Sequence, residues 1–133
     1  NYQKKISGPI LDRIDLHIEV PRINFEKMQS TAQNESSATI RQRIEKALEI
    51  QAQRFMQTDL KYNNEMRAQD VKKYCPLDQP SIDLLRSAMN QLHLSARAYH
   101  RILKVSRTIA DLEQAEKISS KHIAEALQYR SLS

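Results

Sequence analysis

The sequence predicts a mainly α fold: a bundle of about five helices preceded by one short strand. Three observations lead there. The 133 residues include a single Gly and four Pro, too few tight-turn residues for a β-rich fold. From Ser36 onward, apolar side chains recur at helical spacing, the pattern of helices with one buried face. Only one segment alternates apolar with polar residues, and the chain offers it no ladder partner.

Taken in order, Gly8–Pro9 marks a turn and Ile10–Leu11–Asp12–Arg13 can form one helical turn. Ile14–Asp15–Leu16–His17–Ile18–Glu19–Val20 then alternates and stops at Pro21, which reads as a strand. A lone half-apolar strand is not stable by itself. Either it is disordered, or its sheet is built by other sequence. The chain opens at Asn1 and not at Met, so a piece of a longer protein is expected. Residues 22–35 read as a polar linker without periodicity. Ser36 or Ser37 can cap a first long helix, on which Ile40, Ile44, Ala47, Leu48, Gln51 and Phe55 track one face. Asn63–Asn64 interrupts the chain, and a short helix over Met66–Tyr74 ends before Pro76. Asp78 or Gln79 caps the next helix, with Pro80 in its first turn and Ile82, Leu85, Met89 and Leu92 on its apolar face. Ser95 caps a longer helix with an inward stripe of Tyr99, Ile102, Leu103, Ser106, Ile109 and Ala110. The last helix starts at Ser119. There Ile118 and Ile123 occupy the two positions of a hydrophobic staple, with Ala126 and Leu127 also facing inward.

Composition bounds the function classes. With 40% hydrophobic and 28% charged residues, the chain is globular in type. Its formal net charge of +5 suits an acidic partner such as nucleic acid or nucleotide, and equally suits a merely well-solvated surface. Cys75 is the sole cysteine, which excludes an internal disulfide and a cysteine-based zinc site. No metal site is expected, since His17, His93, His100 and His122 lack ligand spacing. No secretory signal or membrane-spanning run is evident, and a cytoplasmic protein without a membrane partner is expected. The lone Gly8 cannot build a glycine-rich phosphate loop.

The most informative stretch runs from Leu94 to Arg107. With Ser95 as cap, Arg97 falls in the first helical turn, where a cation opposes the helix dipole at about 0.3–1 kcal/mol. Free backbone N–H groups and a guanidinium together make a receptor for phosphate. Arg101, Lys104 and Arg107 continue along about a third of the helix circumference. They are candidate phosphate or nucleic-acid contacts, against the plainer reading of a solvated basic face. Arg13, by local physics, is an ordinary arginine between a turn and a strand.

Two long motifs resemble one family. Lys5–Ile6–Ser7–Gly8–Pro9–Ile10–Leu11–Asp12–Arg13–Ile14–Asp15–Leu16–His17–Ile18–Glu19–Val20–Pro21 is similar to magnesium-chelatase-like AAA+ proteins of the ComM type. So is Leu94–Ser95–Ala96–Arg97–Ala98–Tyr99–His100–Arg101–Ile102–Leu103–Lys104–Val105, continued by Arg107–Thr108–Ile109–Ala110–Asp111–Leu112. The closing Ala124–Glu125–Ala126–Leu127–Gln128–Tyr129–Arg130 fits the same family. The resemblance implies an αβα ATPase core followed by a C-terminal helical lid, in subunits that form a ring, expected to be a hexamer. Residues 1–21 would then be the end of the core, 22–35 a linker and 36–133 the lid. It further implies that Arg13 is an arginine finger acting in trans on the neighbouring subunit, and that Arg97 is the sensor-2 arginine reading the γ-phosphate in its own subunit. ATP and Mg2+ would be bound by the full-length parent, whose Walker motifs and sensor 1 would precede Asn1. No hydrolysis and no cofactor are expected for the chain alone.

Relatives of the ComM type are linked to DNA branch migration in natural transformation, so the parent is expected to couple ATP hydrolysis to DNA remodelling. Its expected partners are its own ATPase core, neighbouring subunits and DNA. Two alternatives stand beside this reading. One is a stand-alone basic helical module that binds nucleic acid. The other is a chelatase-type motor subunit for metal insertion, for which no residue is diagnostic.

Overall fold

The computed structural model describes residues 8–16 and 35–130. Its elements, numbered in chain order, are α1 (Gly8–Arg13), α2 (Ser37–Arg54), a 3-10 turn (Asn63–Glu65), α3 (Ala68–Tyr74), α4 (Gln79–Leu92), α5 (Ala96–Leu112) and α6 (Ser120–Gln128). The mainly helical class and the five-helix bundle, α2 to α6, are as the periodicity predicts. The strand is not seen where it can be judged: Ile14–Leu16 are irregular. Residues 17–20 of that prediction, and most of the linker, lie outside the described residues. Among the described residues, the one pairing of extended backbone is an isolated parallel bridge between Leu77 and Ile118, which ties the segments entering α4 and α6.

The central helix is α5. It touches α1, α2, α3, α6 and the 3-10 turn, while α6 also packs on α4. Its start is set by Ser95, whose side chain accepts from the Ala98 N–H at 3.1 Å. Ala98, Ile102, Leu103, Ser106 and Ala110 then form a buried stripe. Ile102 is wholly buried, and a side chain of that size contributes about 1.5–3 kcal/mol on leaving water. The helix stops at a Schellman-type end. Gln114 takes a left-handed φ of 62°, so that the Ala115 N–H reaches the Ala110 carbonyl at 2.8 Å and the Gln114 N–H that of Asp111 at 2.9 Å. His93, φ 51°, closes α4 in the same region. Neither position is Gly, so each carries a left-handed penalty of about 1–2 kcal/mol.

Ser36, Asp78 and Ser95 each cap a helix by accepting a backbone N–H three positions on, and Ser119 stands at the N-cap of α6, where its backbone N–H donates to His122. Ile118 and Ile123 are both buried, as the staple requires. In α2 the expectation is met only in part. Ala47, Gln51 and Phe55 are buried, whereas Ile40, Ile44 and Leu48 are 39%, 47% and 42% exposed. An 18-residue helix is about 27 Å long, and only its C-terminal half is buried in the core. Ile40 and Ile44 instead border an open groove with Ile109 and Leu112.

Phe55 meets Tyr74 edge-to-face at 5.2 Å, and Cys75 is buried in the same core. Burial pushes the Cys75 thiol up to about 11, with Arg107 and Arg54 opposing weakly. Only the thiolate alkylates. At pH 8 the folded chain is therefore expected to react with iodoacetamide about a hundredfold more slowly than the urea-unfolded chain. Equal rates would show that Cys75 is not held in the core.

Candidate functional site

The predicted site residues divide into an exposed pair and an engaged set. Arg97 lies in the first turn of α5, two residues after its Ser95 cap, and is exposed. It forms no hydrogen bond or ion pair with another described residue. The Ser95 side chain takes one of the unpaired N–H groups of that turn, and the others point along the helix axis beside Arg97. Arg13 is the last residue of α1 and is also exposed.

The stretch from Arg101 to Arg107 is not one solvated basic face. Arg101 is half-buried and its Nη1 lies 2.6 Å from Asp15 Oδ1. Lys104 donates from Nζ to the Asn64 carbonyl at 3.2 Å. Burial lowers its pKa, as does nearby Arg101, with Asp15 opposing. Arg107 must be removed from any phosphate-contacting stripe. It is 3% exposed. Its Nε donates to Asp111 Oδ1 at 3.2 Å, its Nη1 to the Glu116 carbonyl at 3.1 Å and its Nη2 to the Ala115 carbonyl at 2.9 Å. The reason is angular: four residues beyond Leu103, position 107 lies only about 40° round the helix and so faces the core.

Arg107 belongs to a buried ionic cluster that sequence reasoning missed. Arg54, at the end of α2, grips Asp111 with both terminal nitrogens, at 2.8 and 2.6 Å. Asn63 donates to Asp111 Oδ2 at 2.8 Å and accepts from Arg54 at 3.0 Å. Gln51 in turn accepts from the Asn63 backbone N–H at 2.9 Å. Asp111 is wholly buried, so two cations share one carboxylate away from water. Desolvation lowers the Arg107 pKa and Asp111 opposes it. The available signal was an Arg–Asp pair four apart on the inward side of α5.

His122 is buried and caps its own helix. Its Nδ1 accepts from the Ser119 backbone N–H at 2.9 Å, so Nε2 carries the ring proton and faces Glu113 Oε2 at 3.1 Å. This is a local capping box, with the histidine in the third helical position. Among the described residues no group of His, Cys, Asp and Glu could hold a metal ion, and no helix is long and apolar enough to cross a membrane.

The segment around Arg13 is held by distant residues. Besides the Arg101–Asp15 pair, Arg130 donates from Nη1 to the Ile14 carbonyl at 2.7 Å, across 116 positions of sequence. Leu16 lines a cavity with Val105, Ile109, Leu112 and Tyr129.

Two family models match successive parts of this chain. Residues 34–130 match the family model described as magnesium chelatase, subunit ChlI C-terminal. Residues 1–28 match that described as magnesium chelatase, subunit ChlI. The competence protein ComM of Haemophilus influenzae is 44% identical over 132 residues, 98% of this chain and 25% of that protein. YifB of Salmonella typhimurium is 39% identical over the same coverage of both chains. The Mycobacterium tuberculosis protein Rv2897c is 32% identical over 129 residues, 97% of this chain and 25% of its own length. The chain thus spans about a quarter of the length of these relatives.

Proposed function

This chain belongs to the magnesium-chelatase-like family of the ComM type, and we propose that it is the nucleotide-reading end of a ring-forming AAA+ ATPase. In this reading residues 1–21 close the ATPase core, 22–35 link, and 36–133 form the helical lid. The handover between the two family models, between residues 28 and 34, supports that division. Arg97 reads the γ-phosphate of ATP bound in its own subunit, and Arg13 reaches the nucleotide of the neighbour. The observation that carries the proposal is the exposed Arg97 in the first turn of a Ser95-capped helix. There the guanidinium and the free N–H groups can converge on one anion.

ATP and Mg2+ would be held by the preceding core. The 44% identity to a protein named for competence supports DNA as the polymer on which the full-length motor acts. The ring, expected to be hexameric, supplies the neighbour that Arg13 requires. The basic surface has a smaller part in DNA binding than its formal charge suggests, because Arg101, Lys104 and Arg107 are committed to internal partners.

The test is Arg97→Ala in the full-length protein. Loss of one preorganised charge-stabilising donor lowers kcat on the order of a hundredfold. Steady-state ATP hydrolysis measures it, and a wild-type rate would end the assignment of Arg97.

A further inference from the structure

We infer that Arg101 and Arg130 are positioning residues for Arg13, forming a two-point clamp through which the helical domain sets where that guanidinium points. The inference rests on the reading of Arg13 as a finger that acts on the neighbouring subunit.

The clamp grips the two residues that follow Arg13. Arg130, buried in the turn just beyond α6, donates to the Ile14 carbonyl at 2.7 Å. Arg101, on α5, holds the Asp15 carboxylate at 2.6 Å. One contact fixes the backbone and the other a side chain, one from the turn that follows α6 and the other from α5. Leu16 follows, lining one cavity with Val105 and Ile109. A chain gripped at two consecutive residues has little freedom left at the residue just before them, so the direction of Arg13 follows the helical domain.

The second link is the register of Arg101 on α5. It lies four residues after Arg97, hence one turn along and on the same face. A displacement of α5 that brings Arg97 onto a phosphate carries Arg101, Asp15 and therefore Arg13 with it. The clamp thus couples reading of a subunit's own nucleotide to presentation of Arg13 to its neighbour, along a chain of named contacts between rigid helices. The Arg101–Asp15 pair is partly exposed, with side chains 27% and 42% accessible. Its direct contribution to folding is accordingly small, and a positioning role can be separated from a structural one.

The test uses the full-length protein carrying Asp15→Asn, Arg101→Met, Arg130→Met, or the exchanged pair Asp15→Arg with Arg101→Asp. Misplacement of a reacting group by about 1 Å can cost about a hundredfold in rate. The first three variants are expected to lose at least about tenfold in kcat, with KM for ATP within about twofold. The exchanged pair should recover most of the rate lost by Arg101→Met. In the present chain, amide exchange at residues 13–16 should accelerate in Arg101→Met while the rest of α5 keeps its protection.

Unchanged kcat in Arg101→Met and Arg130→Met overturns the clamp, as does unchanged exchange at residues 13–16. A rise in KM that accounts for the whole effect also overturns it. Arg13→Ala distinguishes this failure from that of the parent reading. An inactive Arg13→Ala beside fully active clamp variants removes the clamp alone. A fully active Arg13→Ala removes the finger and the clamp together.

Discussion

With Arg13 as the proposed finger, its replacement by alanine in the full-length protein is expected to lower kcat for ATP hydrolysis by about a thousandfold or more, while KM for ATP changes by only a few-fold. A guanidinium delivered to the γ-phosphate from a neighbouring subunit acts mainly on charge that develops in the transition state, and such residues contribute about 10³–10⁵ in rate. The structure places Arg13 where this is sterically open, exposed at the end of α1. Lysine should not substitute, because its point charge lacks the planar fork that spans two phosphate oxygens. Action in trans has its own signature. On the proposed reading, Arg13→Ala subunits keep their own nucleotide pocket, and Walker-A-dead subunits keep Arg13. Mixed rings of these two inactive proteins should therefore recover part of the activity. Wild-type turnover by Arg13→Ala contradicts the assignment, and absence of recovery on mixing contradicts the trans geometry.

Replacing Asp111 by alanine is expected to destabilise the chain by about 3–5 kcal/mol. The mechanism is not the loss of attractive contacts alone. Arg107 and Arg54 are 4% and 13% exposed at their side chains, and without the carboxylate they face each other with no compensating charge. Asn63 also loses an acceptor at 2.8 Å. For domains with a typical stability of about 5–15 kcal/mol, this is a large fraction of the total. Urea denaturation followed by far-UV circular dichroism measures it through the midpoint. A loss below about 1 kcal/mol, the range of an exposed ion pair, would show that water reaches the cluster. Arg43→Ala is the matching control, because its partner Glu35 and its own side chain are both well exposed. It should change stability by no more than about 0.5 kcal/mol.

The cluster also marks the limit of what was legible in the residues. Ser36, Asp78, Ser95 and Ser119 announced their helix starts because a cap is a contact over three positions. The staple of Ile118 and Ile123 is equally local. The ends were harder. With one Gly in the chain, the usual mark of a left-handed stop is missing, and His93 and Gln114 carry that conformation instead. Arg13 and Arg97 could be proposed from their motifs, but what holds the segment behind Arg13 could not. Asp15 and Arg101 are 86 positions apart, and Ile14 and Arg130 are 116.

By itself, then, the sequence determined the helical class, the starts of the helices, the apolar stripe of α5 and the family. The first three rest on periodicity or on contacts within a turn, which any chain with that pattern makes wherever it folds; the family rests on the two long motifs around Arg13 and Arg97. Tertiary structure alone decided which charges are free. Arg97 and Arg107 read alike along the chain, yet one is exposed and the other is sealed against Asp111 and two carbonyls. That difference comes from desolvation. A guanidinium can be buried only where acceptors converge on it, and Arg54, Asn63 and the 115–116 carbonyls meet around Asp111 and Arg107 only once α2, the 3-10 turn and α5 have packed.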